Sequence, residues 1–298
     1  MAAELQQALA TGLFLGFVYA LIALGFAITF GVMRIANFAH GEFVVAGMYA
    51  MIVLHQDVGL HPVLAIPLSA LIVALIGVVF ERLTVEPIAG HSHFMQMIVT
   101  LGGLIILQQI AALIFGDTPM GVDLAFPLFE LRVGEGFISG TRVVAAAVAL
   151  LAIATVLIGL RRTYFGRAVR SVADNRTAAQ LMGVATLNVN LAAFGLGAGC
   201  AGLAGALIVP FLYVSPAIGL GFTVKSFIVV MIAGSSSLPR ILAVSIFLGL
   251  VEAVSGVFLS LSLVPAVVYG SLVLVLVLMM ARMHGTGNLV GLGEKEVA

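Results

Sequence analysis

The sequence predicts an all-α integral membrane protein: a polytopic bundle of about eight or nine transmembrane helices with at least one broken helix. Three observations predict it. Of the 298 residues, 62% are hydrophobic and only 9% are charged, against roughly 25% charged in soluble domains. Mean hydropathy is +1.24, more apolar surface than a water-soluble fold of this size can hide, so lipid must cover the remainder. Apolar stretches near 20 residues recur along the whole chain, so 1–298 reads as a single transmembrane domain.

The first apolar stretch follows MAAELQQ, which holds no Lys or Arg. Without a basic start and with a run longer than a signal core, it reads as a retained span rather than a cleaved leader. Clear spans cover 8–30, 62–80, 94–115, 141–160, 188–213, 241–259 and 264–281. Phe43–Leu54 is too short, about 18 Å of helix against a hydrocarbon core of about 30 Å. Starting that helix near Ala36 would lengthen it enough, at the cost of placing Asn37, His40 and Glu42 at membrane depth. Phe222–Gly234 is also short and reads as a half-helix or a full crossing. The stretch after Arg282 is Gly-rich, and 283–298 is expected to be a disordered tail. No strong internal repeat is visible.

Orientation follows from the basic residues. The stretch 161–183 carries Arg161, Arg162, Arg167, Arg170 and Arg176 against Asp174 alone, which makes it cytoplasmic. The 116–140 loop, with Asp117, Asp123, Glu130 and Glu135, lies outside. Arg34, Arg82, Arg240 and Arg282 then fall inside, and Arg132, Arg142 and Lys225 outside. The N-terminus is outside and the C-terminus inside, with nine spans if 222–234 crosses fully.

Four features break the apolar pattern. In Gly31–Phe43, the residues Asn37, Phe38, His40, Gly41 and Glu42 read either as a discontinuous helix lining a translocation route or as a wet connector. Over 167–174, Val169, Val172 and Ala173 share one helical face and Arg167, Arg170 and Asp174 another. Asn175 is placed to N-cap a second short helix that ends at Gly183. Together these form a docking surface for a cytoplasmic protein, or else an ordinary arginine-rich loop. The small residues Gly195–Gly205 suit close helix packing, or a narrow pore. Glu252 is a lone carboxylate in mid-span, either structural or part of a path, and Lys225 reads as snorkelling to the interface.

Zero formal net charge gives no footing for nucleic acid, and the single Cys200 excludes an internal disulfide or a multi-cysteine metal site. No GxxxxGK[ST], HExxH or GxSxG occurs, so nothing supports an enzyme or ATP hydrolysis by this chain.

Residues 16–50, GFVYALIALGFAITFGVMRIANFAHGEFVVAGMYA, resemble the LivH-type permeases of branched-chain amino-acid ABC importers. The likeness continues through RRTYFGRAVRSVADNRTAAQLMGV (161–184), AGLAGAL (201–207), SPAIG (215–219) and LGLVEAV (248–254). The resemblance implies a multi-pass protein of the bacterial inner membrane, paired with a second homologous permease, two ATP-binding-cassette ATPase subunits and a periplasmic solute-binding protein. No cofactor is expected in this chain, with ATP and magnesium on the partner ATPases. The resemblance implies that Asn37, Phe38, His40, Gly41 and Glu42 line the pathway, and Glu252, as a mid-span carboxylate, is a further pathway candidate. Segment 161–187, with Arg162, Gly166, Arg167, Arg170, Ala173, Asp174, Asn175, Ala178 and Gly183, would be the coupling element seated on an ATPase.

Two departures stand out. Arg176-Thr177 replaces the family's Pro-Glu, and Ala233–Ile241 (AGSSSLPRI) replaces a glycine-rich turn. Urea or short amides, carried by related importers, are the alternative cargo. From another class, a proton-driven secondary transporter would use His40, Glu42 and Glu252 as its relay.

Overall fold

In the first helix, an unbroken apolar run meets no Pro and ends where the backbone turns left-handed. Helix α1 (Ala2–Met33) is 32 residues long and continuous, and Arg34 follows at φ 55°. The computed structural model describes residues 2–122, 129–133, 136–235, 237–260 and 262–287. Its helices continue as α2 (His40–Ile52), α3 (Pro62–Phe80), α4 (His93–Phe115) and α5 (Gly140–Arg162). The short α6 (Tyr164–Asp174) and α7 (Arg176–Leu181) precede α8 (Thr186–Ile208), α9 (Gly219–Ala233), α10 (Leu238–Phe258) and α11 (Val264–Gly287). Among the described residues, seven helical stretches are long and apolar enough to cross a membrane.

Burial separates the centre from the lipid-facing rim. Most residues in the apolar stretches of α1 and α8 are buried, whereas few in that of α4 are. Small residues let the central pair approach: a methyl group at Gly197 would lie 2.6 Å from Gly25 O. Helix α8 packs equally tightly on α3, where a methyl at Gly202 would meet Val73 Cβ at 2.5 Å. The Gly195–Gly205 run is thus a packing surface. Phe43, Phe80 and Phe194 lock α2, α3 and α8 together, with ring centroids 5.5–6.0 Å apart.

The short second span is lengthened at the end opposite to the expected one. Helix α2 starts at His40, not near Ala36, and Arg34–Ala39 is non-helical. The helix continues instead through a π-helical turn, Val53–Asp57. His40–Asp57 reaches about 27 Å at 1.5 Å per residue. The segment 222–234, expected as a half-helix or a full crossing, is α9, extended backwards by the 3₁₀ turn Pro216–Ile218, and 216–233 is long enough to cross. Gly234, at φ 78° and ψ 138°, takes a backbone conformation that glycine alone adopts readily and ends α9, its amide donating to Val230 O, and Pro239 stands in the first turn of α10. The serine-rich replacement of the glycine-rich turn therefore keeps one glycine where the backbone requires it. Helix α11 runs on to Gly287, into the stretch expected to be disordered, and 288–298 lies outside the described residues.

One element has no counterpart in the sequence reading. The 116–140 loop contains an antiparallel hairpin, β1 (Glu130–Val133) and β2 (Gly136–Ser139), with Glu130 opposite Ser139. Asp123 and Glu135, which helped to place this loop outside, lie outside the described residues. Met120 pairs with Val214 through two backbone hydrogen bonds, 2.9 and 2.7 Å, tying this loop to the segment before α9.

Candidate functional site

Asn37–Glu42 is enclosed by protein. Asn37, His40 and Glu42 are all buried, which contradicts the wet-connector reading. Asn37 Oδ1 accepts from Ala39 N at 3.0 Å and so turns the chain into α2. His40 Nε2 is 3.1 Å from Ile22 O, and its ring meets Phe26 edge-on at 5.3 Å. Gly41 lies against the first turn of α9, where its amide donates to Thr223 Oγ1 at 2.8 Å. The same hydroxyl donates to Phe38 O at 3.0 Å. The Glu42 carboxylate is pressed against Gly219, so closely that a methyl there would overlap it. Glu42 Oε2 and Asn37 Nδ2 find no hydrogen-bond partner among the described residues. The starts of two helices, α2 and α9, therefore meet around buried polar groups.

Glu252 is not a lone carboxylate, and Lys225 does not snorkel. Lys225 Nζ lies 2.8 and 2.7 Å from the two oxygens of Glu252. Tyr19 OH donates to Glu252 Oε2 at 2.8 Å and accepts from Lys225 Nζ at 2.9 Å. The ammonium also lies 4.6 Å from the centroid of the Tyr19 ring. Three helices (α1, α9 and α10) thus each supply one member of a closed polar triangle. Its ionic side chains are 15% and 25% exposed, so it is neither sealed nor at the surface. Among the described residues, no hydrogen bond joins His40, Glu42 and Glu252 into a relay.

Three cavities with shared lining residues lie between the hairpin and this triangle. The first, about 420 Å³, lies at the hairpin between Gln7, Glu130, Ser139, Arg142 and Phe211. Arg142 and Phe211 also line a second, about 150 Å³, which reaches Tyr19 and Glu252. Tyr19, Leu212 and Glu252 then border a third, about 360 Å³, with Lys225 and Tyr269 on its wall. The Arg142 guanidinium donates to Thr11 Oγ1 at 2.6 Å and lies 5.3 Å from the Phe211 ring centroid.

At the far end of α5, the chain builds the expected pair of short helices. Thr163 Oγ1 accepts from Gly166 N at 3.2 Å and caps α6. Gly166 is held hard against Leu160 O, where a side chain would collide. Val169 and Val172 are buried, while Arg162, Arg167, Arg170 and Asp174 are exposed, as the amphipathic pattern requires. Arg170 Nη1 donates to Leu160 O, fixing α6 against the end of α5. Asn175 Oδ1 accepts from Ala178 N at 3.0 Å and caps α7 despite the basic Arg176 in its first turn. Gly183, at φ 82°, closes it, with Val184 N donating to Ala179 O at 3.0 Å. Leu181 and Met182, each 84% exposed, project at the tip. The end of α1 touches this unit, because Arg34 Nη2 donates to Ala173 O at 3.4 Å.

The family model described as the branched-chain amino acid transport system permease component matches residues 8–282. The chain belongs to that permease family. It is 32% identical over 290 residues to the high-affinity branched-chain amino acid transport system permease protein LivH of Escherichia coli K12, covering 92% of this chain and 93% of LivH. The permease is 28% identical to BraD of Pseudomonas aeruginosa, over 91% and 92% of the two chains. It is 26% identical to a probable LivH of Methanocaldococcus jannaschii, over 93% and 90%. No solved structure matches it. A permease of an ABC transport system works with ATPase and binding-protein partners, and this one is a multi-pass inner-membrane protein.

Of the residues singled out as pathway candidates, Asn37, His40, Gly41 and Glu42 are buried and Phe38 and Glu252 partly so, and Glu252 meets Lys225 and Tyr19, which the sequence did not connect. Tyr19, Arg34, Lys225, Leu181 and Met182 were missed. The signal available for Lys225 was its charge inside an apolar run, paired with the one carboxylate of the next span.

Proposed function

We propose that the permease carries branched-chain or similar hydrophobic amino acids across the inner membrane. It does so beside a second homologous permease, driven by two ATP-binding-cassette ATPases and supplied by a periplasmic solute-binding protein. The family description favours this cargo over urea or short amides. Nine spans follow when α2 with its π turn and α11 join the seven long apolar stretches. That count leaves the hairpin outside and α6–α7 inside, in keeping with the basic residues of 161–183. The irregular segments before α2 and α9 are the broken elements, and irregular backbone at such depth is tolerated where protein encloses it.

The observation that carries the reading is the α6–α7 unit. Two capped helices bury Val169, Val172 and Ala179 on the bundle and leave Arg167, Arg170, Leu181 and Met182 outward. An exposed apolar tip on a unit that also carries exposed arginines suits an ATPase groove, where ATP and magnesium are bound by the partner. Arg34, which joins Ala173 to the segment entering α2, is the link from that groove to Asn37–Glu42. Closure of the ATPases would move α6 and, through Arg34, the junction of α2 and α9. Glu252 borders two of the three cavities and completes the pathway.

The test is assembly of the full complex carrying Arg167→Glu and Arg170→Glu. The expected result is loss of ATPase co-purification while the permease remains folded in the membrane. Undiminished co-purification would refute the docking role. The proton-driven alternative needs a relay among His40, Glu42 and Glu252, and each of the three instead sits in its own packing environment.

A further inference from the structure

We propose that Lys225 and Glu252, held together by Tyr19, are the receptor for both charged ends of a free α-amino acid. The cargo carboxylate is taken by Lys225 Nζ, its α-ammonium by Glu252, and its aliphatic side chain by the adjoining cavity. This rests on the permease reading above and names how that pathway recognises its cargo.

Charge balance is the first argument. A zwitterion inserted between Lys225 and Glu252 exchanges one ion pair for two, so every charge keeps an opposite partner. A ligand with one charge leaves an unpaired ion where the surroundings are mostly apolar, which is strongly unfavourable. Geometry is the second. The ammonium and carboxylate of the pair both border the cavity of about 360 Å³, within the usual range of about 300–1,000 Å³ for small-molecule sites. Leu212, Ile218, Phe222 and Val268 give that cavity an apolar wall suited to a branched aliphatic chain.

Preorganisation is the third. Tyr19 OH donates to one partner and accepts from the other, so the hydroxyl still orients both when cargo parts them. Stability alone gives a weaker account of the pair, because apolar replacement of a buried ion pair is often neutral or stabilising. Arg142, lining both cavities between the hairpin and Glu252, faces the approach and favours entry of the carboxylate end.

The experiment uses the full complex in proteoliposomes, with Leu212→Cys as a reporter in the cavity wall and Cys200→Ala as background. Alkylation by a small neutral thiol reagent is followed with leucine, with 4-methylpentanoate, which lacks the ammonium, and with 3-methylbutylamine, which lacks the carboxylate. Leucine is expected to slow alkylation several-fold, the two single-charge analogues are not, and Lys225→Met with Glu252→Gln is expected to abolish the protection. Equal protection by either analogue, or protection that survives the double substitution, overturns the receptor. Without the reporter, the same double variant, checked for assembly by co-purification, is expected to import leucine at least about tenfold more slowly. Import at the wild-type rate also overturns it. A wild-type complex that imports leucine with ATP but shows no protection removes the receptor and leaves the permease reading standing. A wild-type complex that imports nothing with ATP removes that reading as well.

Discussion

Lys225 Nζ stands 2.7 Å from Glu252 Oε2, so that α9 and α10 are joined by an ion pair between two predominantly apolar helices. Removing one partner leaves the other charge without compensation. Lys225→Met or Glu252→Gln alone is expected to lower stability by about 2–4 kcal/mol. The double substitution should recover most of that loss, since no charge is then stranded. Unfolding of the purified permease in detergent, compared across the four proteins, checks this. Additive losses would show that the two side chains act independently.

Thr223 satisfies two backbone groups at once where α2 meets α9. Thr223→Val keeps the shape and strands Gly41 N and Phe38 O, at an expected cost of about 1–3 kcal/mol. Thr223→Ser retains the hydroxyl and should lose much less. Thermal melts of the three proteins decide the matter, and equal melting temperatures for valine and serine would remove the hydrogen bonds from the account.

Gly41 and Gly102 make a matched pair. A methyl at Gly41 would collide with Gly219 O and stand 2.6 Å from Thr223 Oγ1, whereas at Gly102 nothing lies within 4 Å. Gly41→Ala is expected to destabilise by about 1–3 kcal/mol or prevent insertion. Gly102→Ala, inside α4, should be neutral or stabilising by up to about 1 kcal/mol. Yield of folded protein by size-exclusion profile separates the two, and similar profiles would contradict the close approach of α2 to α9.

Leu181 and Met182 contribute little to the fold at 84% exposure. Replacing both by Ser is expected to change stability by no more than about 0.5 kcal/mol, while weakening ATPase association. Co-purification and a melting curve on the same preparation test both halves. A destabilised permease with normal ATPase association would reverse the assignment.

How much of this was legible in the sequence depended on how local the cause was. Asn175 and Gly183 could be read as the caps of α7 because capping acts within a few residues. The amphipathic face of Val169 and Val172 was legible for the same reason. The start of α2 was misplaced, because a π turn at Val53–Asp57 leaves no periodic trace and supplies the missing length from the other end. Lys225 was read as snorkelling because its partners sit on other helices, 206 and 27 residues away. Only packing brings Tyr19, Lys225 and Glu252 together. Likewise Arg34 gave no hint that it reaches Ala173, 139 residues on. The hairpin at Glu130–Ser139 escaped notice because charges and prolines in that loop carry no alternating pattern.

Uptake of radiolabelled leucine into proteoliposomes tests whether ATP drives this permease. The vesicles hold the permease, its partner permease, the two ATPases and the loaded binding protein. Uptake is expected to need ATP, to persist when an uncoupler collapses the proton gradient, and to fall when Arg167 and Arg170 are changed to Glu. Uptake that proceeds without ATP and stops with the uncoupler would contradict an ATP-driven permease.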